Sequence, residues 1–172
     1  MLPNIVETYK NFDPPKRFRR TIEILIKYVP PQYLIGLETI MMTNRDALPR
    51  DMRTQRVWGR SRKHRLTDAR GAYSYASAGS GAIIWLFVDN ICRTDVSWWR
   101  SAPVLRFMVP SDVLYHEIGH HIDSHRKRDP QAREEVAVDW SRKLWIHFFR
   151  KRYWYLYPVL SPFIRLISRT DP

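Results

Sequence analysis

Between residues 18 and 29 the apolar side chains Phe18, Ile22, Leu25, Ile26 and Val29 return every three or four positions, with charged residues between them. That spacing puts them on one stripe of a helix. Asp13 followed by Pro14 and Pro15 predicts a capped start for this helix, and Pro30 with Pro31 predicts its end. QYLIGLETIMMTN is short and rich in aliphatic and β-forming residues, which predicts a buried strand. A basic, aperiodic stretch follows from Arg45 to Arg70. GAYSYASAGSG alternates aromatic and small residues before a glycine turn, and AIIWLFVDN is continuously apolar, so two neighbouring strands are predicted. SWWRSAPVLRFMVP predicts a loop with one short helical turn around Val104 to Phe107.

The period then becomes helical. Ser111 and Asp112 predict the cap of a helix to about Ser124 that carries Val113, Leu114, Ile118 and Ile122. Asp129 and Pro130 repeat the cap-and-proline signature and open a longer helix reaching past Arg150. Strands first and helices last predict an α+β domain with helices on one face of a small sheet.

Length and composition narrow this picture. A chain of 172 residues can bury a core as one domain, and 44% apolar with 13% aromatic residues excludes a disordered chain. Residues 1–152 are expected to form that domain, leaving 153–172 as an aromatic and basic tail. Cys92 is the only cysteine, which excludes an intrachain disulfide, and MLPNIVETYK lacks the layout of a signal peptide. The expectation is a cytoplasmic protein. The net charge of +12 is concentrated in PPKRFRR, RSRKHR, HRKR and FRKRYW. Such runs are either a solvated face or a docking surface for nucleic acid or anionic membrane.

Candidate chemistry lies in SDVLYHEIGHHIDSH, residues 111–125, which contains the motif His116-Glu117-Ile118-Gly119-His120. Four residues advance a helix by slightly more than one turn, so His116 and His120 project from the same face and can share a tetrahedral zinc. Glu117 lies on the adjoining flank, where its carboxylate can act as general base toward a water on the metal. The plain alternative is a polar helix whose histidines meet this spacing by chance. His121 turns to another face, where capping or solvent contact is expected.

A catalytic zinc needs a third protein ligand. Asp123 and His125 follow too closely to fold back, so the next helix is the better source. On DPQAREEVAVDWSRKLWIHFF the apolar face holds Ala137, Val138, Trp140, Leu144, Trp145 and Phe148, and Glu134 falls on it. A carboxylate there requires a partner, and Ala137 one turn on lets the two helices approach closely. Glu135 points with Asp139, Arg142 and Lys143 to the polar side. Glu134 also sits in the first turn, where the helix dipole favours an acid without any metal.

In HEIGHH and REEVAVDW the chain resembles the gluzincins, zinc metallopeptidases with HExxH on one helix and a glutamate ligand on the next. Its short spacing resembles their single-domain forms, the minigluzincins. The resemblance spans about residues 32–144 and implies a zincin-like domain binding one Zn2+ per chain and hydrolysing a peptide or protein substrate. It implies a small twisted mixed sheet whose edge strand, AIIWLFVDN or GAYSYAS, borders the cleft and pairs with substrate. In many gluzincins an aspartate or asparagine four residues after the glutamate orients a ligand histidine. Four after Glu134 is Val138 and four after Glu135 is Asp139, a register favouring Glu135. Glu134 is the assigned ligand on grounds of burial, with Glu135 as the alternative. Asp139 and Asp123 are candidate acceptors for a ligand histidine. Tyr73, Tyr75 and Arg106 are candidate transition-state stabilisers.

The tail, WIHFFRKRYWYLYPVLSPFIRLISRTDP, is too interrupted by prolines to cross a bilayer. It fits an interfacial anchor at the inner face of the membrane, a segment wrapped over the core, or a cover for the cleft. A second reading of the whole chain keeps the zinc without catalysis, as a regulatory module docking on nucleic acid or anionic membrane through its basic surface.

Overall fold

The structure, a computed structural model, describes residues 2–58, 63–76, 81–93 and 105–155. Its sheet begins where the sequence pattern gives no signal, with β1 at Asn4–Thr8. Four of these five residues are exposed, so no alternation marks the strand, and it exists by pairing with β2, Leu37–Thr43. Between them runs α1, Phe18–Lys27, burying Phe18, Ile22, Leu25 and Ile26 as the helical spacing requires. Its start is later than expected. Arg17, not Asp13, is the N-cap, and it offers no side-chain cap. The first residues of the expected strand, from Gln32, instead belong to a 3-10 turn at Pro31–Leu34.

The basic stretch has more structure than its lack of period suggested. It contains a short helix α2, Arg50–Arg53, and an antiparallel pair, β3 at Arg56–Trp58 and β4 at Lys63–Arg65. Then come β5, Gly71–Ser74, and β6, Ala82–Phe87, which pair antiparallel as neighbours. A five-residue helix α3, Val88–Cys92, ends β6. The four-stranded sheet has the order β1-β2-β6-β5, with β1, β2 and β6 parallel. It is thus a mixed sheet with β5 at one edge. Of the turn expected around Val104 to Phe107, Leu105–Phe107 is a 3-10 turn, and residues 94–104 lie outside the described residues.

Two long helices complete the domain: α4, Met108–Asp123, and α5, Pro130–Arg152. Ser111 and Asp112 do not cap α4, which begins a turn earlier. The Ser111 hydroxyl donates to the Met108 carbonyl (2.9 Å) from inside the helix. For α5 the expected cap is present, with Asp129 Oδ1 accepting from the Ala132 amide at 2.9 Å and Pro130 in the first turn.

Alternation along β6 divides the interior. Ile84 and Leu86 face the main core with Ile22, Leu25, Ile40, Leu114 and Phe148. Phe87 joins a smaller core on the other face, with Leu48, Leu66 and Ala69 and with Trp85 and Ala72 against it. Tyr115, fully buried, ties α4 to α1 by donating its hydroxyl to the Leu25 carbonyl at 3.1 Å. The chain end follows this core as far as Tyr153, which is buried, whereas Trp154 and Tyr155 stand exposed. These two do not wrap over the core; the rest of the tail, 156–172, lies outside the described residues. No helix among the described residues is long and apolar enough to cross a membrane.

Candidate metal centre

A glycine lets the two long helices approach closely. A Cβ on Gly119 would stand 2.7 Å from Ala137 Cα and 2.8 Å from its carbonyl oxygen, so α4 and α5 touch backbone to backbone there. Ala137 is fully buried in this contact. An isolated glycine within a helical pattern is the sequence signal for such an approach. Its effect is to bring Glu134, one turn before Ala137, against the histidine face of α4.

His116 and His120 lie one turn apart, edge to face, with ring centroids 4.8 Å from each other. Glu134 Oε2 lies 3.3 Å from His116 Nε2, and Oε1 lies 3.4 Å from His120 Nε2. Ligating atoms of the three residues all lie within 4.8 Å of one another. Contacts of 3.3 and 3.4 Å are long for charge-assisted hydrogen bonds, which favour about 2.7–2.9 Å. They do match a tetrahedral edge: two donors each about 2.0–2.1 Å from one zinc ion stand about 3.3 Å apart. Two imidazole nitrogens and a carboxylate are donors that suit zinc, and the two His–Glu separations are close to such an edge. Burial acts to raise the Glu134 carboxyl, but hydrogen bonding and charge from His116 and His120 outweigh it and hold the group down to about 2. It is an anion ready to bind a cation.

Glu117 is buried beside this cluster, and that burial pushes its carboxyl up to about 7, with Glu134 adding to the rise and His120 opposing it. It is wedged against the start of β5. A Cβ on Gly71 would meet Glu117 Oε1 at 2.7 Å, so only glycine lets the strand pass this close. A cleft of about 560 Å³ opens over the cluster, lined by His116, Glu117, His120 and Glu134 on the helix side and by residues 69–73 on the strand side. Of the two segments expected at the edge, GAYSYAS supplies it, while AIIWLFVDN lies inside the sheet. Arg133 and Tyr75 reach across the cleft mouth, the guanidinium donating to the Tyr75 hydroxyl at 3.0 Å.

The remaining candidates separate clearly. Glu135 is exposed and accepts from Gln131 at 3.3 Å, turned away from the histidines. Asp139 is exposed and paired with Lys143 at 2.6 Å, so the register linking it to Glu135 is not the one that meets α4. Asp123 is buried, but its partner is Arg128 at 3.0 Å. Tyr73 and Tyr75 line the cleft; Arg106 does not, and its guanidinium lies 4.9 Å over the Phe107 ring.

His121 corrects the expectation of solvent contact, because it is buried. Its Nε2 lies 3.0 Å from the Ile35 carbonyl, which can only accept, so Nε2 carries the proton. Nδ1 of the neutral ring then accepts from the Tyr73 hydroxyl at 3.1 Å. Burial lowers the pKa of this imidazole, in keeping with the neutral form. The pair anchors β5 to α4, and partners 86 and 48 residues away leave no local trace in the sequence.

No family model matches the chain, no curated protein matches its sequence, and no solved structure matches its fold.

Proposed function

We propose that this protein is a zinc-dependent metallopeptidase of the gluzincin type. The observation carrying the proposal is the convergence of His116, His120 and Glu134 on the floor of a cleft bordered by β5, an edge strand of the sheet among the described residues. Among the described residues three protein donors converge, the number that a catalytic zinc site uses. Zinc held there would supply Lewis-acid polarisation of a peptide carbonyl and make water more acidic.

The chain's own residues supply the rest. The Glu117 carboxylate takes a proton from water as the water oxygen bonds the peptide carbonyl carbon, and delivers it to the amine as the C–N bond breaks. The edge of β5 offers backbone donors and acceptors that align an extended peptide beside the cluster. Gly71 keeps that strand within reach of Glu117. Tyr75, at the mouth, is placed to meet charge developing on the carbonyl oxygen, whereas the Tyr73 hydroxyl is already committed to His121.

Elemental analysis of purified wild type, Glu134→Ala, Glu135→Ala and Glu117→Gln tests the reading, followed by an unbiased peptide-library digest. The expected result is one zinc per chain in all but Glu134→Ala, with cleavage lost in Glu117→Gln. A wild type that takes up no zinc on reconstitution would remove the metal, and a zinc-loaded wild type that cleaves nothing would remove the peptidase.

A further inference from the structure

The far half of α5 is one-sided in charge. From Trp140 to Tyr155 the chain carries Arg142, Lys143, Arg150, Lys151 and Arg152 and no acidic residue. At 3.6 residues per turn, Lys143, His147 and Arg150 share one face, turned about 110° from the buried Leu144 and Phe148, and Lys151 lies between the two. These residues and Ile146 line a shallow groove. Asp139 offsets one charge by pairing with Lys143. Directly beyond the stripe stand Trp154, 72% exposed, and Tyr155, 57% exposed, two of the most exposed large apolar side chains described.

We infer that this face docks the protein on an anionic lipid surface. Cations are drawn to the lipid headgroups, and tryptophan and tyrosine favour the headgroup level, where ring and polar tip both find their medium. Nucleic acid would answer the charge equally well, but the adjoining sequence distinguishes the two. LYPVLSPFIRLISR continues with Leu156, Val159, Leu160, Phe163, Ile164 and Leu166 and only two arginines, a composition suited to the acyl boundary rather than to phosphates. The docking face also lies on the opposite side of α5 from Glu134, so the cleft stays open to solvent when the face is covered. This inference stands apart from zinc and from peptide hydrolysis.

The test is co-sedimentation of the full chain with vesicles of pure phosphatidylcholine and of phosphatidylcholine containing phosphatidylglycerol. Wild type should bind only the anionic vesicles and be released by salt. Lys143→Ala/Arg150→Ala/Lys151→Ala should lower the partition coefficient on the order of a hundredfold, about fivefold per cation. The same number of changes around the start of α1, Lys16→Ala/Arg17→Ala/Arg20→Ala, should lower it far less. Trp154→Ala/Tyr155→Ala should weaken binding without flattening its salt dependence. Circular dichroism confirms that each variant is folded. Absence of wild-type binding to anionic vesicles, equal binding to neutral ones, or equal losses from the two triple variants would each overturn the inference. So would tighter, salt-sensitive binding of the α5 stripe to duplex DNA or RNA.

Discussion

Replacing Gly119 by alanine adds one methyl group at the place where the two donor-bearing helices meet. That methyl would lie 2.7 Å from Ala137 Cα and 2.8 Å from Ala137 O, and ordinary contact begins at 3.4 Å. Both opposing atoms are backbone, so no side chain can turn aside and α5 must retreat by about 0.7 Å, the difference between 3.4 and 2.7 Å. Glu134 moves with it, while metal-ligand distances tolerate only about 0.2 Å. Zinc affinity in a competitive chelator titration should fall at least about tenfold. Overpacking should destabilise by about 1–3 kcal/mol, which lowers Tm by about 2–12 °C for a domain of this size. The sign is diagnostic, because an unobstructed Gly→Ala change inside a helix stabilises by about 0.5–1 kcal/mol. Ala137→Gly should not rescue the variant, since the obstructing atoms are Cα and O rather than Cβ. A Gly119→Ala protein with raised Tm and wild-type zinc affinity would refute the close contact and the assembly of the site through it.

Gly71→Ala should leave zinc content unchanged yet reduce kcat on any peptide the wild type cleaves, because the new Cβ displaces the Glu117 carboxylate rather than a zinc donor; unchanged turnover with intact zinc would argue against Glu117 as the base. Tyr115→Phe removes the buried hydroxyl bond to Leu25 but leaves that carbonyl its second partner, the Tyr28 amide at 3.2 Å. Urea denaturation should show a loss of about 1 kcal/mol with unchanged m, and no loss at all would show that the bond contributes nothing net.

How much of this was legible in the sequence depends on how local each cause is. The α5 cap, the pairing of β5 with β6 and the burial of Glu134 follow from neighbours in the chain, and all three are present. A turn of α4 was missed because Pro110 resembles a stop signal, whereas a helix tolerates proline in its first turn, where amides lack partners anyway. β1 was missed because its only partly buried side chain is Ile5, and a strand exposed on four of five positions has no pattern to show. The short β3 and β4 pair was lost for a related reason, three residues per strand being too few to establish a period. At the site, the motif and its helix were readable, as was the burial of Glu134 beside an exposed Glu135 from the apolar face. The roles of Tyr73, His121 and Gly71 were not, since each is defined by an element distant in the chain.

The division of the interior into two cores gives the two halves of the cleft different foundations. The donor-bearing helices rest in the larger core, where Leu114, Ile118, Leu144 and Phe148 are almost wholly enclosed. The far side of the strand wall rests, among the described residues, on a smaller cluster of Leu48, Leu66, Ala69 and Phe87 with Met52, Val57, Ala72 and Trp85 against it. Local opening follows the thinner support, so the groove that would grip a peptide should loosen at milder conditions than the cluster that would grip a metal. Partial denaturation would then leave the donor cluster assembled but without the means of holding a chain in line with it.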